Sequence, residues 1–496
     1  MINHLPILPV LIPSLTGALL LLPVFQRSIQ RQRLLSLAAT LLTLAVAIAL
    51  FASSSEATTH YLLGNWEQPF GIVLVADRLS TLLVLLTAVL SCGVVLYASA
   101  GTDEDGSFFH SLLQYQLMGI YGAFLTGDMF NLFVFFEILL LASYGLLAHS
   151  GGKARIRASV QYVTLNLIGS ALFLVALGLM YGTLGTLNIT NMAERVALLR
   201  DDQLVLLEAA LLILIVVFGL KTALVPLHFW LVRSYSAATA PVAALFAIMT
   251  KVGIYGFYRV HIGTFGHQPE LSDGLIQTLF WLMAAVTMVV AIVGVLGSKN
   301  LRTLTANLVV LSVATLMFTV AMGSKEAVSA GLYYLIHSTL VTAALFLLAD
   351  IIAQERGSAA DNFVAARPMR QQTLMGLTFM AVAVTVVGMP PMSGFIGKIL
   401  ILVAAQTGSQ QLAAWSFILA GSLAALIGLS RAGTSLLWHT TGIKAPAQTT
   451  SVLPIAALML FVLSAPVMVV LSGPLTNTLA LVAEQLVTST TEVALQ

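Results

Sequence analysis

The chain has 496 residues, of which 59% are hydrophobic and only 8% charged. Soluble domains average about 25% charged residues, so the composition excludes a soluble globular protein and predicts an all-α polytopic membrane protein. A formal net charge of +2 with no basic tract offers nothing to nucleic acid, and the single cysteine, Cys92, excludes an intrachain disulfide or a thiolate metal cluster.

A membrane span needs roughly 20 predominantly apolar residues. Stretches of that kind lie near 4–25, 34–52, 78–99, 109–127, 129–148, 160–182, 204–231, 240–260, 275–296, 302–322, 327–350, 374–406, 411–430 and 452–473, which predicts fourteen spans. The first, within MINHLPILPVLIPSLTGALLLLP, has neither a basic n-region nor a small-residue cleavage site and reads as a retained span. Connectors such as Gly101-Thr-Asp-Glu-Asp-Gly106 are short, and a mildly amphipathic tail follows Gly473, so no soluble domain is expected.

Lysine and arginine fix the expected orientation. Loops after odd-numbered spans carry Arg27, Arg31, Arg33, Lys153, Arg155, Arg157, Arg233, Lys299, Arg302, Arg356, Arg367, Arg370, Arg431 and Lys444, whereas the other side holds Arg78, Arg195, Arg200, Arg259 and Lys325. Both termini are therefore expected outside the cytoplasm. The three remaining cations, Lys221, Lys251 and Lys398, fall inside spans.

Span 7 carries Pro226, and span 12 carries Gly388-Met-Pro390-Pro391. Proline removes a backbone donor and clashes with the preceding turn, so both helices are expected to break there, with Pro226, Pro390 and Pro391 as hinges. Shifting spans 4 to 8 by the Pro226-to-Pro391 offset lays them on spans 9 to 13. An odd number of spans per copy inverts the second copy. The expected organisation is a three-helix segment (1–107), a first inverted repeat (108–262), a second (263–432), and a last span with its tail (433–496). Inverted repeats with matched broken helices point to a transport site near the midplane.

Five ionisable residues lie deep within these spans: Glu137, Lys221, Lys251, His337 and Lys398. A charge at the centre of a span costs about 2.5–3.5 kcal/mol on insertion scales. A lysine stem reaches only several ångströms, too little to reach the interface from a midplane about 15 Å away. One structural Glu–Lys pair would account for Glu137 and one lysine, and would leave the other two lysines and His337 without acidic partners. Lysine beside a carboxylate, and histidine alone, can gain and lose protons near neutral pH. The mixture of signs without ligand spacing speaks against a metal site. A helix broken beside Lys221 needs polar groups or water to satisfy its freed backbone, and water carries protons. His228, two turns beyond Lys221 and across Pro226, is a secondary candidate.

Lys221-Thr-Ala-Leu-Val-Pro-Leu-His-Phe-Trp230, the run from Ala240 through Lys251 to Tyr255, span 5 with Glu137, and Pro390-Pro-Met-Ser-Gly-Phe-Ile-Gly-Lys398 together resemble the antiporter-like subunits. These are shared by respiratory complex I, membrane-bound hydrogenases and the multi-subunit Mrp (Mnh/Pha) cation/proton antiporters. The resemblance covers nearly the whole chain. Its length and the lysine at 398 bring it nearest to the D subunit of Mrp antiporters. The resemblance implies an ion pair between Glu137 and Lys221, continued by Lys251, His337 and Lys398 as a hydrophilic axis. It also implies a bacterial inner (plasma) membrane location, other membrane subunits as partners, protons with Na+ or K+ as cargo, and no cofactor. Leu231-Val-Arg233 departs from the family pattern, in which many relatives have Leu-Pro and then an acidic or other polar residue. The competing expectation is a proton-pumping, non-redox subunit of complex I or a hydrogenase. The chain has no flavin, quinone or iron–sulfur motif of its own.

Overall fold

The structure, a computed structural model, describes residues 2–66, 71–196, 198–266, 274–405, 408–443 and 451–488. Lys444 lies outside them. Each predicted apolar stretch coincides with helix, and eleven helices are long and apolar enough to cross a membrane. The first half of the chain forms α1 (Leu8–Leu20), α2 (Ile29–Ser54), α3 (Arg78–Ala98), α4 (Phe109–Leu125), α5 (Met129–Ala148), α6 (Lys153–Leu184), α7 (Asp201–Thr222), α8 (Phe229–Ala237), α9 (Ala240–Phe246) and α10 (Met249–Gly256). The second half forms α11 (Leu275–Gly297), α12 (Leu301–Met322), α13 (Lys325–Arg356), α14 (Gln372–Val387), α15 (Ser393–Ala404), α16 (Gly408–Gly433), α17 (Val452–Val470) and α18 (Ser472–Thr488).

Burial divides these helices into an inner and an outer set. The segment Ala240–Thr264 is wholly buried and α12 94% buried over their most apolar windows, whereas α11 and α17 are each 33% buried. Helices apolar all round carry no amphipathic signature that separates the two sets. Their ranking emerges only from packing. Polar side chains on inner helices are shielded from lipid, and it is there that Lys251, Ser312 and His337 lie.

Both expected breaks are present. α7 stops at Thr222, after which Ala223 adopts a left-handed φ of 63° and Leu224 N–H donates to Gly219 O at 2.8 Å. Thr287 Oγ1 accepts from Val225 N–H, and Trp230 Nε1 donates to Leu220 O at 3.1 Å, so the freed backbone finds partners. In span 12, α14 ends on Gly388 (φ 83°), a conformation that favours glycine, before α15 starts at Ser393. Span 8 adds an irregularity that the sequence reading missed. Ala247 and Ile248 close three-residue turns between α9 and α10, and residues 257–264 continue α10 as a π-helix.

Two further elements were not expected. Thr59–Leu62 and Val73–Ala76 form a short antiparallel hairpin with Thr59 opposite Ala76, tied to the end of α4 through Gly127 N–H to Val73 O at 2.9 Å. The tail after Gly473 is helix through Thr488, and it buries Leu479, Val482, Ala483 and Leu486, one apolar stripe, against α13 and neighbouring elements.

Candidate functional site

Glu137 sits mid-way along α5, half-buried, and Ser170 Oγ of α6 donates a short hydrogen bond to its Oε1. Asn166, one turn earlier on α6, accepts through Oδ1 from Lys221 Nζ at 3.3 Å. The lysine also stands 5.6 Å from the centroid of the Phe136 ring. The direct ion pair implied by the resemblance is therefore absent among the described residues. Ser170 and Asn166 stand on one face of α6 at a spacing of four, and the Glu137 charge still acts on Lys221. The result is a line of carboxylate, hydroxyl, amide and ammonium drawn from three helices.

Lys221 falls in the last turn of α7 rather than at the middle of a continuous span, because the chain breaks two residues later. A cation there is favoured by the helix dipole and by carbonyls that lack intrahelical partners. Lys398 uses the same physics across the second break. Its ammonium donates to Val387 O at 2.7 Å, Val386 O at 3.2 Å and Ser422 Oγ at 2.8 Å, so α15 supplies the cap for the C-terminus of α14.

Lys251 is fully buried at the core, with Ser312 Oγ at 3.2 Å and Thr250 Oγ1 at 3.3 Å. His337 pairs through Nδ1 with Ser393 Oγ at 2.9 Å, at the start of α15. The charges of Lys398 and Lys251 both act on His337, which places the histidine electrostatically between them. α10, which carries Lys251, packs against α7, which carries Lys221, but no hydrogen bond among the described residues joins the two ammonium groups. His228 stands apart from this line. It is half-buried beside Phe229, and its Nδ1 has no partner. The hinge residues Pro226, Pro390 and Pro391 are exposed at their breaks.

Sequence reasoning missed the neutral partners: Asn166, Ser170, Ser312, Ser393 and Ser422. It also missed Gln116, buried on α4 with Oε1 unpartnered, whose amide contacts the sulfur of Met249 two residues before Lys251. A signal did exist, since Asn166 and Ser170, and likewise Ser312, Thr315 and Thr319, are polar residues at helical spacing inside apolar runs. No group of three or more His, Cys, Asp or Glu side chains suited to a metal occurs among the described residues.

The other buried charges serve the helix ends. Arg259 grips Asp77 at 2.5 and 3.0 Å, Arg302 holds Asp350 at 2.7 Å beside the Tyr97 hydroxyl, and Asp128 caps α5 at Asn131 N–H. In the loop before α4, Asp103 accepts from Arg33 at 2.7 Å and meets His110 Nε2 at 2.9 Å. Burial alone would push the Asp103 carboxyl up, but these hydrogen bonds and charges outweigh it and hold the group at about 2.

Residues 126–428 match the family described as NADH:quinone oxidoreductase/Mrp antiporter, TM, over more than half of the chain. The chain belongs to this antiporter family. Within it, the chain resembles the D subunits of Mrp-type complexes. It is 37% identical over 473 residues to the probable K(+)/H(+) antiporter D subunit of Rhizobium meliloti (strain 1021), covering 88% of this chain and 87% of that one. It is 36% identical over 400 residues to the Na(+)/H(+) antiporter D subunit of Bacillus subtilis (strain 168), covering 80% and 79%. The antiporter fold also matches a chain in the structure of the Mrp complex from Dietzia sp. DQ12-45-1b, with TM-score 0.86, 24% identity and coverage of 99% and 98%. A chain of respiratory complex I from Thermus thermophilus matches with TM-score 0.80, 24% identity and coverage of 98% and 99%.

Proposed function

We propose that this antiporter-family protein is a proton-translocating subunit of a multi-subunit Na+(K+)/H+ antiporter in a bacterial inner membrane. Protons move along Glu137, Lys221, Lys251, His337 and Lys398. One observation carries this reading. The three buried lysines and His337 are held by neutral hydroxyl, amide or carbonyl groups and not by carboxylates. A charge kept only to lock helices needs a full counter-charge, because an uncompensated buried ion is strongly destabilising. A group that spends part of its time neutral does not. The neutral partners are thus suited to a lysine that gives up and regains its proton.

The reading includes both termini outside the cytoplasm and two inverted repeats, at 108–262 and 263–432, whose broken helices face the axis. Other membrane subunits complete the machine, and the cation follows the names of the D-subunit relatives, K+ or Na+. Lys221→Ala in the complete complex, reconstituted into proteoliposomes, tests it. Cation-dependent proton flux should vanish while the complex still assembles, and unchanged flux refutes the role given to Lys221.

A further inference from the structure

A second polar line leaves the axis at Lys251. Ser312, the partner of the Lys251 ammonium, is followed on α12 by Thr315 and Thr319 at spacings of three and four, which places them on one side of the helix. Thr319 Oγ1 and Tyr258 OH lie 2.6 Å apart. Gly331 of α13 makes room for this pair: a Cβ there would stand 2.2 Å from the Tyr258 oxygen and 2.5 Å from Thr319 Oγ1. The next two residues of α12, Val320 and Ala321, line a cavity of about 310 Å³.

That cavity lies where α7 and α11 begin and where the π-helical end of span 8 and α12 finish, the side to which the arginine and lysine bias assigns the outer face. His261 lines it, three residues after Tyr258 on the same π-helical stretch. Such stretches are rare and recur at functional sites. The imidazole is 6% exposed and held among the rings of Phe257, Phe280 and Phe218, with centroids 5.3 to 6.2 Å away. Its Nε2 is 3.4 Å from Leu211 O, and its Nδ1 has no partner in the protein. An unpartnered buried ring nitrogen is costly. A cavity of this size, which also exposes Gln277 and Ser324, has room for several waters at about 30 Å³ each.

We propose that this cavity is the outer-face opening of the axis, a water-filled vestibule where His261 exchanges protons with the outside solution and with the Tyr258–Thr319–Ser312–Lys251 line. Each step balances: a proton taken up on one ring nitrogen is matched by one released from the other, and each hydroxyl passes one proton on as it accepts another. This proposal rests on the relay reading above. It adds the place where that relay meets water.

The test uses the complete complex in proteoliposomes, with Lys221→Ala, His261→Phe and the double variant Tyr258→Phe/Thr319→Val measured side by side. His261→Phe and the double variant should each lower cation-dependent proton flux by roughly 100-fold, the low end of what a positioned proton-transfer group supplies, in complexes that retain all their partner chains. Full flux in His261→Phe, with flux still lost in Lys221→Ala, overturns the opening and leaves the relay standing. Flux surviving in Lys221→Ala strikes the relay itself. A second measurement covers the case in which those variants fail to assemble. Gln277→Cys in a Cys92→Ser background should react with a charged, membrane-impermeant thiol reagent applied from outside and lose flux on reaction. A cysteine that the reagent cannot reach, as when a lipid chain fills the cavity, or one whose modification leaves flux unchanged, overturns the proposal.

Discussion

Lys398→Met separates two roles that the axis lysines combine. The Lys398 ammonium satisfies two carbonyls freed at the end of α14, those of Val386 and Val387, and the hydroxyl of Ser422. Methionine keeps the length of the side chain but offers no donor. Stranding a buried acceptor costs about 1–3 kcal/mol, so the two carbonyls together place the loss at about 2–6 kcal/mol, towards the low end if water reaches the break. Lys251→Met removes an equally buried ammonium with a different outcome. Its partner Ser312 already donates to Val309 O at 2.8 Å and is left without an unmet need, while the cost of burying a cation disappears. Thermal unfolding of the purified complex should therefore show Lys398→Met well below wild type and Lys251→Met at or above it. Equal loss in both variants would refute the idea that Lys398 caps a broken helix.

Ser170→Ala should destabilise by about 1 kcal/mol, the net worth of one hydrogen bond, and slow proton flux, because Glu137 loses the hydroxyl that joins it to the Asn166–Lys221 side; flux at the wild-type rate would show that the hydroxyl is not in the line. Gly394→Ala should prevent a stable second break, since its Cβ would stand 2.0 Å from Thr385 O and 3.0 Å from the His337 ring, and an assembled complex with normal flux would contradict that geometry. The Asp103 carboxyl, held at about 2 against an ordinary 3.8, has its folded value depressed. Its contribution of about 2 kcal/mol is thus fully present above the unfolded value and fades as pH falls from about 4 towards 2. The stability gap between wild type and Asp103→Asn should accordingly be constant through neutral pH and close in that acid window.

The helices and both breaks were legible because their causes are local. Twenty apolar residues need no partner to be recognised, and Pro226 and Pro390-Pro391 disrupt a helix wherever it packs. The five ionisable residues stood out because charge inside an apolar run is costly in any arrangement. Their partners did not stand out, because Ser170, Ser312 and Ser422 look like ordinary small residues until neighbouring helices bring them to Glu137, Lys251 and Lys398. The same limit hid the separation of Glu137 from Lys221, which depends on the side of α6 presented by Asn166 and Ser170. The π-helical end of span 8 was hidden as well, since residues 257–264 contain no proline and no glycine before Gly263 to betray a change of winding. His228, prominent in sequence beside Pro226, turned out to lie off the line.

The central claim is that these buried groups form one connected route for protons, and Lys251 stands at its middle. The decisive measurement is cation-dependent proton flux through the intact complex in proteoliposomes carrying Lys251→Met, whose fold the structure expects to survive. The account predicts that flux falls to background and that adding Lys221→Ala changes nothing more. Undiminished flux, or a partial loss that deepens when Lys221→Ala is added, would mean that the groups work as separate sites and would contradict the account.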